Sequence, residues 1–371
     1  MKRNVIALYL PQFHPIPEND LWWGKGFTEW RNVVQSQPKY KSHYQPHIPQ
    51  DLGFYDLRLP SVIKEQAELA KSYGITAFSI YHYWFNGYKL LERPLEILRD
   101  HEDIDIDYCM CWANENWTRR WDGKDAEILI EQDYSEYDPI AHIKYMSGFF
   151  NDRRYIKCEN RPLISIYRAE SIPNLTSIIS IWTEYVKNMG YEGLYIIGMS
   201  KSPKEDEYLI GCGINGLIDF IPKRNIYKAN VGNLLSLAKY IAKNGARPVV
   251  HSVFPKLTYS KRFSYVKVRD EALSRYDSYS YLIPCIIPSW DNSARRKSGA
   301  TIIENHHPHL YGDWLKKALR YSDAPETKDK FIFINAWNEW AEGCHLEPDT
   351  RFGHQFLEQT RLALETPENK K

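Results

Sequence analysis

Apolar residues along this chain fall into short, nearly unbroken runs separated by stretches of helical spacing. The β-rich runs lie at residues 5–10, 75–81, 108–112, 163–167, 194–198, 216–220, 281–287 and 331–337. Each is followed by polar and aromatic residues and then by a segment with helical spacing, which reads as a strand leading into a helix. Between the runs the period changes to 3.6: residues 61–73 carry Val62, Ile63, Ala67 and Ala70 on one face, and residues 140–151, 174–188 and 312–321 read the same way. Eight strands alternating with helices predict parallel strands joined by right-handed crossovers, and eight such units close a (β/α)8 barrel. The expectation is an α/β fold: one TIM-type barrel domain over residues 1–364, with long loops at its C-terminal rim and a polar tail at 365–371. One segment disturbs the count, because residues 248–254 also read as a strand, either inserted or the true seventh with 281–287 displaced. An open doubly wound sheet is the alternative. Such sheets usually begin with a glycine-rich first turn, whereas the first strand here runs into Leu10-Pro11-Gln12-Phe13.

Composition narrows the classes without naming a function. The 371 residues are 43% hydrophobic and 26% charged, which excludes disorder for the bulk of the chain. Lys and Arg number 48 against 47 Asp and Glu, so no global field draws the protein to nucleic acid or an anionic membrane. No apolar stretch approaches the roughly 20 residues that span a bilayer. The first run is followed by Pro11-Gln12-Phe13-His14-Pro15 and not by a small-residue cleavage site. The reading is a cytoplasmic protein with no transmembrane segment and no nucleic-acid partner. Six cysteines are scattered without a CxxC pair, and Cys109 and Cys111, on one face of a strand, read as buried thiols.

The aromatic residues, 14% of the chain, carry more information through their placement. Of 12 tryptophans, Trp22, Trp23, Trp30, Trp84, Trp112, Trp117, Trp121, Trp290, Trp337 and Trp340 end or follow predicted strands, and Trp182 and Trp314 fall in predicted helices. In a (β/α)8 barrel the strand ends form the rim where active sites lie, so an aromatic-lined cleft is expected there.

The densest chemistry follows the eighth strand, in Asn335-Ala336-Trp337-Asn338-Glu339-Trp340-Ala341-Glu342-Gly343. Two carboxylates three residues apart on one rim loop can serve one substrate. Crowding them with tryptophans desolvates at least one and raises its pKa toward the operating pH, which is what a general acid needs. Glu339 and Glu342 are therefore the candidate catalytic pair. Around them, mixtures of aromatic, amide and charged residues follow other strands, and that mixture suits a sugar: apolar faces stack on rings while hydroxyls take hydrogen bonds. The candidate substrate-binding residues are Tyr9, Trp22, Trp23 and Glu29 from the first unit, and Tyr81 and Trp84 from the second. Trp112, Asn114, Glu115 and Trp117 come from the third, Trp290 and Asp291 from the seventh, and Trp337 and Asn338 from the eighth; Arg295 and Arg296 belong to the seventh mixture.

The run from Trp337 to Gly343 continues to Leu346-Glu347-Pro348-Asp349. Together with Pro11-Gln12-Phe13-His14, Trp22-Trp23-Gly24-x-Gly26-Phe27-Thr28-Glu29-Trp30 and Trp290-Asp291-Asn292, it resembles the WbsX family of bacterial O-antigen and capsule gene clusters. That family is related to glycoside hydrolase family 99, the endo-α-mannosidases and endo-α-mannanases. The resemblance covers nearly the whole chain and implies a (β/α)8 barrel with no metal or other cofactor. It also implies retention of anomeric configuration through a 1,2-anhydro sugar, with the substrate's own 2-hydroxyl as nucleophile, an exception to the usual double displacement. Glu339 would then deprotonate the 2-hydroxyl and Glu342 would protonate the leaving oxygen. The sequence has Ala341 where the hydrolases often carry His, and it shows no secretion signal.

Three other readings compete. Proteins like WbsX are commonly labelled glycosyltransferases, which would add a nucleotide sugar or a lipid-linked glycan to the oligo- or polysaccharide as partner. The acidic run Asp103-Ile104-Asp105-Ile106-Asp107 precedes the third strand, on the wrong rim for a metal-dependent donor site, and reads as a solvated turn. The cluster His306-His307-Pro308-His309 raises a metal hydrolase, but these residues lack the i, i+4 spacing of a strong site. A non-catalytic glycan-binding protein would need the aromatic platform without the two carboxylates.

Overall fold

The computed structural model describes residues 4–119, 124–222, 260–276, 278–296, 298–324 and 330–365. Eight parallel strands pair in a closed ring: β1 (Asn4–Tyr9), β2 (Ala77–Phe85), β3 (Asp107–Trp112), β4 (Arg161–Ile166), β5 (Tyr195–Met199), β6 (Gly216–Ile218), β7 (Leu282–Ile283 with Cys285–Ile286) and β8 (Phe331–Ile334). Neighbours in sequence are neighbours in space throughout, and β8 returns to β1 with Asn4 opposite Phe331. Pro284 has no N–H to offer and divides β7 into two pieces. The first piece pairs with β6 (Leu217 opposite Leu282) and the second with β8 (Cys285 opposite Phe333), so the ring closes through it. Residues 281–287 thus fill the seventh place; residues 248–254 and Trp121 lie outside the described residues.

The strands are apolar because both faces are covered. All nine residues of β2 and five of the six in β1 are buried. Between the strands run α1 (Pro17–Trp23), α2 (Glu29–Gln35), α3 (Pro60–Ser72), α4 (Arg93–Asp100), α5 (Pro139–Ser147), α6 (Leu175–Lys187), α7 (Pro203–Gly211), α8 (Tyr265–Tyr276) and α9 (Pro308–Asp323), with α10 (Gln355–Glu365) after β8. Pro60, Pro139, Pro203 and Pro308 stand at the start of their helices, where a missing N–H costs nothing and the fixed φ is already helical. Asp138 and Ser202 cap two of these starts by accepting backbone N–H bonds. The helices match the expected segments with boundary shifts of a few residues, while α1, α2, α4, α7, α8 and α10 were not read from the spacing.

All six cysteines are buried free thiols. Asp103 and Asp105 pair with Lys64 and Lys71, and Asp107 opens β3, which places that acidic run at the N-terminal rim. Among the described residues no helix is long and apolar enough to cross a membrane.

The C-terminal rim is elaborated by extra pairings. After β3 comes a hairpin of Trp117–Arg119 with Lys124–Ile130. After β7, Trp290–Asp291 pairs with Ala300–Glu304, which in turn pairs with Ser260–Ser264. After β8, Asn338–Glu339 pairs with Cys344–His345 around a single helical turn at Trp340–Glu342.

Candidate active site

The strand-8 hairpin is locked in place before it presents any chemistry. Trp337 N donates to Leu8 O at 2.8 Å, so the chain still tracks β1 after β8 has ended. Asn338 then imitates a strand: its Oδ1 accepts from Leu10 N at 2.7 Å and its Nδ2 donates to Leu10 O at 3.0 Å. Gly343 completes the turn at φ 54°, with Asp291 Cβ only 3.0 Å from where a side chain would begin. A left-handed backbone and that close approach both require glycine there. Behind the turn, Trp340 stacks on His345 at 3.7 Å and donates from Nε1 to Glu347 Oε2 at 2.5 Å. Glu347 also accepts from Tyr55 Oη at 2.8 Å and Gln66 Nε2 at 2.7 Å. Burial pushes its carboxyl up to about 7, against the pull of those hydrogen bonds.

In front of the turn, Glu339 and Glu342 face an open cleft of about 920 Å³ counted out to its solvent mouth. Arg295, from the loop after β7, joins them: Nη2 meets Glu339 at 2.8 Å, Nη1 meets Glu342 at 2.9 Å, and Nε meets the fully buried Glu29 at 3.3 Å. One guanidinium thus serves three carboxyls. Burial raises the Glu339 pKa to about 8; Arg295 pulls it down, while Glu342 and Glu29 push it further up. Glu29 is raised in the same way, chiefly by burial and against Arg295. Burial works against the charge of Arg295, but Glu29, Glu339 and Glu342 outweigh it and hold the cation. Like charges this close cannot all ionise cheaply, so a proton resides within the cluster near neutral pH.

The walls are aromatic and amide. Tyr81, Tyr167 and Phe220 line one side in successive edge-to-face contacts, Tyr81 to Tyr167 at 6.0 Å and Tyr167 to Phe220 at 5.4 Å. Tyr83 stands edge-on to Trp117 at 5.3 Å, and Trp117 is backed by Trp22 at 5.7 Å. Trp23, Asn116 and Thr118 complete that side. Gln12 Nε2 donates to Tyr83 Oη at 2.9 Å, and Gln12 Oε1, also at the cleft, is buried with no hydrogen-bond partner among the described residues. An acceptor left in that state favours a ligand hydroxyl or a water. Glu115 lines the cleft and is held by Arg168 at 2.7 Å.

Of the residues expected from sequence, Trp23, Tyr81, Glu115, Trp117, Glu339 and Glu342 line this cleft together. Trp22 supports its wall, and Glu29 lies beneath Arg295. The others stand behind it. Tyr9 donates to Gln66 at 2.7 Å, Trp337 packs on Phe78 at 5.3 Å, and Asn338 clamps Leu10. Asn114 forms a similar clamp, its Oδ1 accepting from Arg168 N at 2.8 Å and its Nδ2 donating to Arg168 O at 2.9 Å. Trp84 stacks on His142 of α5 at 4.7 Å, and Trp112 stacks on Tyr137 at 5.5 Å, both facing away from the barrel axis. Trp290 is buried in a strand pair with Ile303. Asp291 accepts from Gln45 at 2.8 Å and meets His43 Nε2 at 2.6 Å. Although burial opposes it, the hydrogen bonds from His43, Ser293 and Gln45 hold the Asp291 carboxyl below its ordinary range. Not among the candidates were Gln12, Tyr83, Tyr167, Phe220 and the bridging role of Arg295. Strand parity would have found Tyr83: β2 runs on to Phe85, so Tyr81 and Tyr83 share the inner face while His82 and Trp84 share the outer.

Residues 5–360 match the family model described as "Glycosyltransferase WbsX". The chain belongs to the WbsX family. It is 38% identical over 366 residues to the uncharacterized protein WxcX of Xanthomonas campestris pv. campestris strain B100, and 38% identical to WxcX of strain ATCC 33913. Those alignments take in 97% of this WbsX-family chain and 49% of WxcX, so the chain spans about half the length of the curated relatives it matches. The fold is similar to that of the GH99 endo-alpha-mannosidase from Bacteroides thetaiotaomicron, with a TM-score of 0.57, 14% identity and coverage of 98% of this chain and 97% of the other. A second solved structure, a glycoside hydrolase-like protein, gives a TM-score of 0.60 at 14% identity, covering 98% of this chain and 94% of its own. At such identities the likeness is one of fold.

Proposed function

We propose that the cleft makes or breaks glycosidic bonds in a bacterial cell-surface polysaccharide, with Glu339 and Glu342 as its catalytic pair. The observation that carries this reading is that both carboxyls face one aromatic-walled cleft while sharing a single guanidinium, Arg295. Aromatic walls offer stacking for sugar faces, and Gln12, Tyr83 and Asn116 offer hydrogen bonds to hydroxyls.

The mechanism that best fits this arrangement is the substrate-assisted one. Glu339, ionised, takes the proton of the sugar 2-hydroxyl; O2 attacks C1 as the C1–oxygen bond breaks, and the leaving oxygen takes a proton from Glu342. In the second half Glu342 takes a proton from water, the hydroxide opens the 1,2-anhydro ring at C1, and O2 recovers its proton from Glu339. A conjugate acid with a pKa of about 8 makes Glu339 a stronger base than an ordinary carboxylate, closer to what a hydroxyl proton demands. Arg295 balances the charge that moves between the pair.

The family description favours a second reading, in which the same pair transfers a glycosyl unit to an acceptor sugar in place of water. Mass spectrometry separates the two. Purified protein is incubated with the surface polysaccharide of its own organism, with and without a pool of nucleotide sugars. Shortened oligosaccharides without donor support an endo-acting hydrolase, and donor-dependent extension supports a transferase. No change under either condition removes the proposal.

A further inference from the structure

Behind the strand-8 hairpin lies a second cluster that the cleft does not use. His47, from the connection between β1 and α3, and His345 and Asp349, beyond the turn, are all buried, and one donor atom from each lies within 4.8 Å of the others. His345 has a defined orientation. Its Nδ1 meets the Glu347 carbonyl at 2.9 Å, which only an N–H can do, so Nε2 is the lone-pair nitrogen. That nitrogen faces His47 Nδ1 at 2.8 Å and Asp349 Oδ2 at 4.0 Å. Asp349 is fixed as well: Oδ1 accepts from the backbone N–H of Arg351 at 3.0 Å and Phe352 at 2.6 Å, which turns Oδ2 toward the histidines. Trp340 braces the His345 ring at 3.7 Å, and Tyr44 braces the His47 ring at 4.3 Å. Two backbone bonds tie the chain segments, Gln50 N to Pro348 O and Thr350 N to Ile48 O, each at 2.9 Å.

We propose that His47, His345 and Asp349 form a binding site for one divalent transition metal, zinc by the chemistry of the donors, that clamps the β1–α3 connection to the hairpin carrying Glu339 and Glu342. Two imidazoles and a carboxylate are a common protein donor set for zinc, with bonds of roughly 2.0–2.2 Å and a fourth position left for water. Donor atoms around such an ion stand roughly 3.3 Å apart, a spacing that the 2.8 Å and 4.0 Å separations bracket. Binding moves the proton now between the imidazoles to His47 Nε2, so that both facing nitrogens offer lone pairs; no proton is gained or lost. The backbone carbonyl on His345 Nδ1 is the outer-shell contact that orients metal-bound histidines. The ion sits behind Trp340, outside the cleft, so this site stands whether or not the proposed reaction does.

The test uses the full chain, stripped with chelator and desalted. Cobalt(II) is titrated while the visible absorption of four-coordinate cobalt is followed, and zinc retained after gel filtration is counted by elemental analysis. The expected result is one equivalent of either metal, a thermal midpoint that rises with zinc, loss of the cobalt band in His47→Gln, and at least about tenfold weaker binding in Asp349→Asn. Asp349→Asn keeps the Oδ1 that caps Arg351 and Phe352, so it decides the matter if His47→Gln does not fold. No band and no retained zinc in the wild-type chain overturn the proposal. So does binding that is unchanged in either folded variant, which would place the ion elsewhere, for instance at the stacked His307 and His309.

Discussion

Two buried carboxyls of the strand-8 region, Glu339 and Glu347, share a cause and differ in every consequence. Burial raises both, Glu339 to about 8 and Glu347 to about 7. Glu347 accepts neutral hydrogen bonds from Tyr55, Gln66 and Trp340, is not among the residues that line the cleft, and holds the turn from behind. Glu339 depends on one guanidinium that it shares with two other acids, and its remaining surroundings are the cleft. Burial alone therefore does not mark a reactive acid. What separates the two is whether the polar partners close around the carboxyl or leave it a side facing open space.

The sharpest way to break this contrast is to replace the front carboxyls. Glu339→Gln and Glu342→Gln should each lower turnover on the polysaccharide by about 10²–10⁴-fold, the usual range for an acid or base in the transition state, with thermal unfolding little changed. Near-wild-type rates in both variants would move the chemistry elsewhere.

The next effect is on stability. Glu347 has a folded pKa of about 7 against an ordinary 4.5, so its contribution is fully present below pH 4.5 and is lost as the pH rises through 7. That loss amounts to about 3 kcal/mol between pH 4 and pH 8.5. Glu339 acts in the same direction, with its window reaching through pH 8. Burial lowers the pKa of His14, His47, His82, His142, His306 and His345, which works in the opposite direction below pH 6.5, so the test is a difference. By chemical denaturation, the stability of the wild type relative to Glu347→Gln should fall by about this amount from pH 4 to pH 8.5. A difference that stays constant or rises over the same range would contradict the burial of the Glu347 carboxyl.

Arg295→Met removes the shared charge. Opposite charge at this range lowers a carboxyl pKa by about 1–3. The falling limb of activity should therefore move up by at least about one pH unit. Arg295→Lys keeps the charge without the fork and should fall between. An unmoved limb in Arg295→Met would mean that the guanidinium only packs. The smallest effect belongs to the wall: Trp117→Ala should raise KM about tenfold by removing one stacking face while changing kcat less. A change confined to kcat would deny Trp117 a binding role.

Much of this was legible in the chain. Apolar runs gave the eight strands because both faces of each are buried, and the seventh place went to residues 281–287. The pair Glu339 and Glu342 stood out because the two acids sit among tryptophans at a strand end. Individual wall residues were harder to read, since strand parity decides which side chain points inward. Ending β2 at residue 81 favoured Trp84 over Tyr83, and Trp112 of β3 points toward α5 and α6 rather than into the cleft. Asn114 and Asn338 look like sugar ligands in sequence, yet each is spent on a backbone clamp. Arg295 was visible only as part of a mixture. Its partners Glu29 and Glu339 are separated from it by 266 and 44 positions, and no local pattern encodes such a bridge.

The central claim is that Glu339 acts as the base of the cleft, poised by burial against one shared cation. The pH dependence of kcat/KM on the polysaccharide tests it most directly, because this profile reports the free enzyme's titrations. The account predicts that activity needs one proton on the pair, on Glu342 with Glu339 ionised, so that it falls as the pH rises through about 8 in the wild-type protein, with that limb displaced upward in Arg295→Met. A wild-type profile that is flat from pH 6 to pH 9, or that rises across it, would contradict the claim.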